Sequence, residues 1–421
     1  MITAKAFAGK RYAVYGLARS GLATAEALLA SGANVTAWDA KEEARAAAPA
    51  GTEIANLDEA DLSEFDSLVV TPGLPINRHP IAQRARDAGV EIIGDMELFA
   101  RARPELPPHK VVGITGTNGK STTTALIHHI LKTAGVPTTM GGNIGLPILA
   151  QDPLPEGGVY VLELSSYQID LTQSLDCGVA VLLNITPDHL DRYESFEAYA
   201  LSKMRLMATM SERSFINPPA FIRDVLGDDY GFYEMLRPST GDEQLNWPTL
   251  QGPHNAQNVG AARMVCNALG LTSDQIEEGL STYPGLPHRM ERVREKDGVL
   301  FVNDSKATNP TATAPALAAF PSIRWILGGQ AKTDNLDECA PHFGHVRSAY
   351  TIGEAGELFA RLLAPHLPVT NCETLENALN HAARDSQAGD TVLLSPACAS
   401  FDQFRDFEQR GDRFKDLVGA L

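Results

Sequence analysis

The sequence predicts an α/β protein of three successive blocks with mainly parallel sheets, and three observations carry that prediction. Apolar runs of strand length alternate with stretches of helical period almost from end to end, the pattern of repeated strand and helix units. Two proline clusters, PELPPHK at 104–110 and YPGLPHR at 283–289, interrupt the alternation, and neither a helix interior nor a central strand tolerates such spacing. The length of 421 residues suits two to four domains at about 150 residues each. The expected boundaries are 1–105, 106–287 and 288–421.

The first block opens with YAVYG (12–16), passes through the Ala/Leu-rich stretch 22–30, and continues with NVTAWD (34–39) and SLVVTPG (67–73). In the second, VVGITG (111–116) leads into the helical stretch KSTTTALIHHILKTAG. Two buried-type strands follow, VYVLEL (159–164) and VAVLLNIT (179–186). Turn-forming pairs break the pattern between 211 and 250, and a helical period resumes at 255–269. The third block has a hairpin at 291–304 and strands IRWILGG (323–329), AYTIG (349–353) and TVLLSP (391–396). Amphipathic helices over 374–384 and 402–417 complete it.

Composition removes several function classes. Lys+Arg 35 against Asp+Glu 52 leaves a net charge of -17, which repels nucleic-acid phosphates and anionic lipid surfaces. A phosphorylated ligand therefore needs locally placed donors. The 35 glycines and 26 prolines fall well short of the roughly 25–30% that marks low complexity. Five widely spaced cysteines without a CxxC pair argue against a disulfide framework or structural zinc. No export signal or run of about 18 apolar residues is visible. The expectation is a cytoplasmic monomer with no nucleic-acid or membrane partner.

The strongest motif is GITGTNGKST at 113–122, at a strand end and a helix start. Glycines let successive N–H groups curl towards a phosphate, Lys120 supplies a point charge and Ser121 a metal-binding hydroxyl. The strict G-x-x-x-x-G-K-[ST] spacing is not met, because five residues separate Gly113 from Gly119. GLARSG at 16–21, with Asp39 at the next strand end, approaches a dinucleotide fingerprint, but Ala18 stands where close approach to a pyrophosphate needs a glycine. A tight turn without ligand and an NAD site are both open readings there. Glu163 and His189 lie on or just after strands expected beside the phosphate loop, and both suit a metal or its surroundings, with an ordinary loop residue as the alternative for either alone. Arg289 and Asp304 place a cation and a carboxylate at a block junction, suited to neutralise a phosphoryl group and to hold a ribose, with a surface turn as the alternative. SPACASFDQF at 395–404 offers hydroxyls and N–H groups to a carboxylate, with a helix cap as the alternative.

GTNGKST, VLELSSYQ, NITPDHLDRY, PHNAQN, PHRME, NDSKATNP and SPACASFDQF occur in the order found in the Mur ligases of peptidoglycan synthesis, which the chain resembles over its full length. The resemblance implies a Rossmann-like N-terminal domain, a central P-loop ATPase domain and a Rossmann-like C-terminal domain. It assigns Gly16, Leu17, Ala18, Arg19, Ser20, Asp39, Thr71, Pro72, Gly73 and Asn143 to a UDP-linked substrate. ATP falls to Gly116, Thr117, Asn118, Gly119, Lys120, Ser121, Thr122, Asn255, Asn258, Arg289 and Asp304. Two Mg²⁺ sites fall to Ser121, Glu163, His189 and Lys203, the last as a carbamate, which turns a cation into an anionic ligand. Lys120, His189 and Lys203 carry the catalytic roles, and Thr308, Lys332, Ser400, Phe401 and Phe407 the D-glutamate site.

The implied reaction joins D-glutamate to UDP-N-acetylmuramoyl-L-alanine. Because a carboxylate is inert towards amines, it attacks the γ-phosphate of ATP, and the acyl phosphate then acylates the amine. His189 or a nearby carboxylate is the base. Domain closure would keep water from the acyl phosphate. Two rivals remain at this point: a folylpolyglutamate synthetase, which has no need of the first hundred residues, and a nucleotide-sensing module without catalysis.

Overall fold

The computed structural model describes residues 1–188, 192–209, 211–222 and 233–421. The chain divides into two compact units, Met1–Pro238 with Gln257–Leu280, and Ser239–Ala256 with Ser281–Leu421. The first unit contains two sheets. Strands β1 (Arg11–Tyr15), β2 (Asn34–Trp38), β3 (Glu53–Ile54), β4 (Ser67–Val70) and β5 (Glu91–Ile93) run parallel in the order β3-β2-β1-β4-β5. Alternation is legible in β1: Tyr12 and Val14 join one apolar cluster, Ala13 and Tyr15 another, because successive side chains leave opposite faces. Strand order reverses between β1 and β4, so a crevice opens beyond their carboxyl ends.

The second sheet is also parallel, with β6 (His109–Thr115), β7 (Thr138–Gly142), β8 (Gly158–Glu163), β9 (Val179–Leu182), β10 (Ser214–Ile216) and β11 (Glu234–Met235) in the order β11-β10-β9-β6-β8-β7. His109 and Lys110, the end of the PELPPHK break, already belong to the central strand β6, since the last proline precedes them. Strands β10 and β11 extend the sheet through the region without a sequence pattern; at three and two residues they are too short to show a period. The two sheets of this unit are tied by Glu97, 1% exposed. Its carboxylate accepts the N–H groups of Gln173 and Ser174 at 2.7 and 2.8 Å, the Ser174 hydroxyl at 2.8 Å and Arg101 Nε at 2.9 Å.

The second unit carries β12 (Glu291–Lys296), β13 (Val299–Asn303), β14 (Ile323–Gly328), β15 (Val346–Ile352), β16 (Val369–Glu373) and β17 (Thr391–Leu394), ordered β12-β13-β17-β14-β15-β16. Strands β12 and β13 form the expected antiparallel hairpin, and the other pairings are parallel. Trp325, Leu327 and Leu393 pack on one face, and Ile326, Val392 and Leu394 on the other. The last helix, expected from residue 402, starts at Phe407. Asp402 instead accepts the N–H of Glu354 at 2.9 Å, and Asp406 caps the helix by accepting from Gln409 N at 2.7 Å. All five cysteines are buried and free. Among the described residues no helix is long and apolar enough to cross a membrane.

Asp95 opens the helix Asp95–Ala102 and is buried, its Oδ1 accepting from Met96 N at 3.0 Å. Burial pushes its carboxyl up from 3.8 to about 6, so between these values the folded chain holds a proton that the unfolded chain releases. The group's contribution is then full below about pH 4 and is lost as pH rises through about 6. Asp95→Asn keeps the acceptor oxygen and removes the charge. Its melting temperature minus that of the parent is expected to grow between pH 4 and 7; a constant difference in thermal melts refutes the assignment.

Candidate functional site

The phosphate loop joins β6 to the helix Lys120–Thr133, and Gly119 stands at the helix start with φ +84°. A Cβ there would lie 2.4 Å from Asn258 Oδ1 and in a left-handed conformation, so only glycine fits. The loop is held from below by Asn184. Its backbone oxygen accepts from Thr117 N at 2.9 Å, its Oδ1 from Asn118 N at 2.9 Å, and its Nδ2 donates to Asn118 O at 3.1 Å. Asn258 accepts from Thr123 Oγ1 at 3.2 Å. Lys120 Nζ folds over the loop, donating to Gly116 O at 3.0 Å and Thr117 O at 2.8 Å. The loop thus presents a cation and a helix N-terminus together, the requirement for binding phosphate.

Beside the loop, Glu163 ends β8 and is 2% exposed. Its Oε1 accepts from Asn143 Nδ2 at 3.3 Å, while Oε2 is buried without a hydrogen-bond partner among the described residues. A buried carboxylate oxygen left unpaired is costly, and a hard cation satisfies it. Lys203, on the helix Phe196–Thr209, is 2% exposed and donates to Gly116 O at 3.0 Å. Its ammonium stands 4.7 Å from the centre of the Tyr199 ring. Burial, and then the neighbouring Lys120, push its amine down to about 7. Ser121 is buried at the helix start. These groups fit Mg²⁺ held by few protein ligands, as that ion prefers; no cluster of three or more His, Cys, Asp or Glu is found among the described residues. His189 lies outside the described residues.

In the first sheet, Leu17 N donates to Asp39 Oδ2 at 2.7 Å and Lys41 N to Oδ1 at 2.9 Å. Asp39 therefore shapes the loop containing Gly16, Leu17, Ala18, Arg19 and Ser20. Thr71 N pairs with Tyr15 O at 3.2 Å, which sets the 71–73 turn against the same strand end. Arg192, not singled out in the sequence, fixes that turn. Its guanidinium donates to the carbonyls of Pro72, Gly73 and Leu74 at 3.3, 3.2 and 2.9 Å and lies 3.9 Å from the Tyr167 ring centre.

In the second unit, Asp304 follows β13 and is 6% exposed. It accepts from Ser395 Oγ at 2.7 Å and Met290 N at 3.1 Å. Burial pushes its carboxyl up to about 7. Both oxygens are occupied: Oδ2 by Ser395, and Oδ1 in bracing the 288–290 turn, where His288 and Met290 have φ +62° and +48° on either side of Arg289. Asn255 is buried in this unit and donates to Gln251 O at 3.1 Å. Lys332 Nζ reaches Thr308 Oγ1 at 3.4 Å. Ser400 is 2% exposed, and Phe401, expected as an apolar wall, is 67% exposed. Phe407 lies under Lys306, whose ammonium is 5.1 Å from the ring centre. Ser400 does not precede a helix directly, as the sequence suggested, because turn residues intervene before Phe407.

Asn184, Arg192 and Tyr199 were not singled out in the sequence; all three lie in or near NITPDHLDRY, so their neighbourhood was marked.

Three family descriptions match the chain in order: Mur ligase MurD-like, N-terminal domain, over residues 10–94; Mur ligase middle domain over 114–223; and Mur ligase, glutamate ligase domain, over 288–398. A relative from Novosphingobium aromaticivorans is 60% identical, covering 100% of this chain and 97% of its own, and one from Zymomonas mobilis is 53% identical, covering 100% of both. Each is named UDP-N-acetylmuramoylalanine--D-glutamate ligase. Among solved structures, a MurF ligase from Thermotoga maritima in complex with ADP is similar in fold at TM-score 0.60 and 17% identity, over 98% of this chain and 96% of that one. With matched domains on both sides of the phosphate loop and a full-length relative sharing three residues in five, the chain belongs to the Mur ligase family.

Proposed function

We propose that the chain is an ATP-dependent ligase that joins the amine of D-glutamate to the alanyl carboxylate of UDP-N-acetylmuramoyl-L-alanine in peptidoglycan precursor synthesis. The observation that carries this reading is the pairing of the Lys120 loop with a buried oxygen of Glu163 that has no hydrogen-bond partner among the described residues, suited to a phosphate chain with its metal. Relatives at 53–60% identity over the whole chain supply the substrate pair through their names. The three sheets are taken as three domains, with the UDP-linked substrate on 1–105, ATP on 106–287 and the amino acid on 288–421. The reaction is assigned to the cytoplasm.

The alanyl carboxylate attacks the γ-phosphorus of ATP, giving an acyl phosphate and ADP. The amine of D-glutamate then attacks the acyl carbon, loses a proton and expels phosphate. Lys120 follows the charge as it moves onto the phosphoryl oxygens, and the loop N–H groups hold the chain of phosphates in line. Bound Mg²⁺ would neutralise phosphate oxygens, held by Glu163 Oε2 and the Ser121 hydroxyl. Lys203, with its amine near neutrality, is suited to add CO₂ with loss of a proton, and the resulting carbamate would serve a second metal. Lys332, Thr308 and Ser400 are assigned to the acceptor carboxylates and Phe407 to its chain.

Phosphate release is expected only when ATP, UDP-N-acetylmuramoyl-L-alanine and D-glutamate are all present, with L-glutamate and diamino acids poor substitutes. ATP turnover independent of both acceptors, or dependent on a folate-type acceptor, overturns the reading. Lys120→Ala is expected to lower kcat by about a hundredfold or more, from loss of a charge-assisted contact made in the transition state, with an unchanged far-UV spectrum. Near-normal turnover removes Lys120 from catalysis. Intact mass in bicarbonate is expected to show one bound CO₂, lost in Lys203→Ala, and acetate is expected to restore part of that variant's activity by supplying a carboxylate. A bare amine together with no restoration rejects the carbamate.

A further inference from the structure

Arg410, on the helix Phe407–Ala420, is 1% exposed and makes no hydrogen bond to a carboxylate among the described residues. Its Nε donates to Ser305 Oγ at 3.0 Å, Nη2 to Ser305 O at 2.8 Å and Cys398 O at 3.1 Å, and Nη1 to Ala399 O at 3.3 Å and Gly328 O at 3.5 Å. Burial pushes the guanidinium down to about 10, still charged at neutral pH. An apolar side chain would pack a helix against a sheet at less desolvation cost. What the guanidinium adds is a rigid planar fork of five donors, able to hold carbonyls from several segments at once.

The segments it holds are informative. Ser305 lies three residues before Thr308, Gly328 four before Lys332, and Ala399 immediately before Ser400. These are the three loops that carry the proposed D-glutamate contacts, each leaving the carboxyl end of β13, β14 or β17. They also meet backbone to backbone: Gln330 and Ala399 exchange two hydrogen bonds of 2.9 Å. A Cβ on Gly329, at φ +125°, would lie 2.3 Å from Ala399 O and 3.2 Å from Arg410 Nη1. Ala397, buried, is held at φ +56°, a strained conformation that persists only where surrounding contacts impose it. Because C=O and N–H oppose each other across a trans peptide, drawing Ala399 O towards the guanidinium turns the Ser400 N–H away from it.

We propose that Arg410 is a positioning residue for the amino-acid subsite, setting the spacing of Thr308, Lys332 and Ser400 and thereby the selectivity for a dicarboxylate amine. It acts through the three loops and does not touch the substrate. The inference rests on the D-glutamate reading above.

The test is steady-state kinetics of the full-length enzyme with each substrate varied in turn. D-glutamate-dependent phosphate release by the parent protein is measured first, and its absence defeats the functional reading rather than this one. Arg410→Lys keeps charge and length but loses the fork. It is expected to raise the KM for D-glutamate about tenfold or more, with the KM values for ATP and UDP-N-acetylmuramoyl-L-alanine within about threefold. The preference for D-glutamate over D-aspartate is expected to narrow. Ser305→Ala removes one acceptor from the fork and is milder; a rise of about threefold in the same KM alone is expected. It decides the matter if Arg410→Lys does not fold. A parallel change in all three KM values, or an unchanged D-glutamate KM in a folded variant, overturns the proposal.

Discussion

Parallel strands cannot be joined by tight hairpins, so each chain connection crosses back over a sheet face, and the loops that leave the strands gather at one edge. That constraint governs the candidate chemistry here. Gly16, Asp39 and Thr71 directly follow β1, β2 and β4; Gly116 and Asn143 follow β6 and β7, and Glu163 ends β8; Asp304, Gly329 and Ser395 follow β13, β14 and β17. In each sheet the candidate residues therefore collect at the carboxyl ends of neighbouring strands, although they are tens of residues apart in the chain. The antiparallel β12 is the exception, and none of the candidate residues lies on it.

A second theme is the burial of polar and charged groups. Glu163, Lys203, Asp304 and Arg410 are each 6% exposed or less. Removing such groups from water costs free energy that their partners repay only partly. Lys203 and Asp304 respond by moving their titration towards neutrality, Glu163 keeps one oxygen without a hydrogen-bond partner among the described residues, and Arg410 recruits five acceptors. Glu97 is a contrast: it is as deeply buried but fully satisfied, and joins two sheets instead of serving a site.

Two carbonyl-binding arginines show how the same chemistry recurs. Arg192 holds the 72–74 turn in the first unit, and Arg410 holds three loops in the second. Both use the planar fork against main-chain oxygens, which makes the geometry of a loop depend on a side chain far away in sequence. Loops of this kind acquire a fixed shape without regular secondary structure of their own, which is what a selective binding surface requires.

Local readings succeeded where the physical cause is local. The GTNGKST turn, the strands β1 and β14 and the 291–304 hairpin are set by neighbours within a few residues, and each was legible. The start of the last helix was misplaced because Asp402 and Asp406 are both competent caps, and only the Glu354 N–H, 48 residues distant, takes Asp402 out of that role. Asn184 acts on a loop 66 residues away and Arg410 on Ser305, 105 residues away. A single sequence records the identity of such residues but not the separation that folding removes. The sequence by itself determined the order of strands and helices, the phosphate-binding turn and the chemical inventory at the strand ends. The tertiary structure decided which inventory residues brace neighbouring backbone, as Asp39 and Asp304 do, because that depends on where each donor finds its acceptor once the strands are side by side.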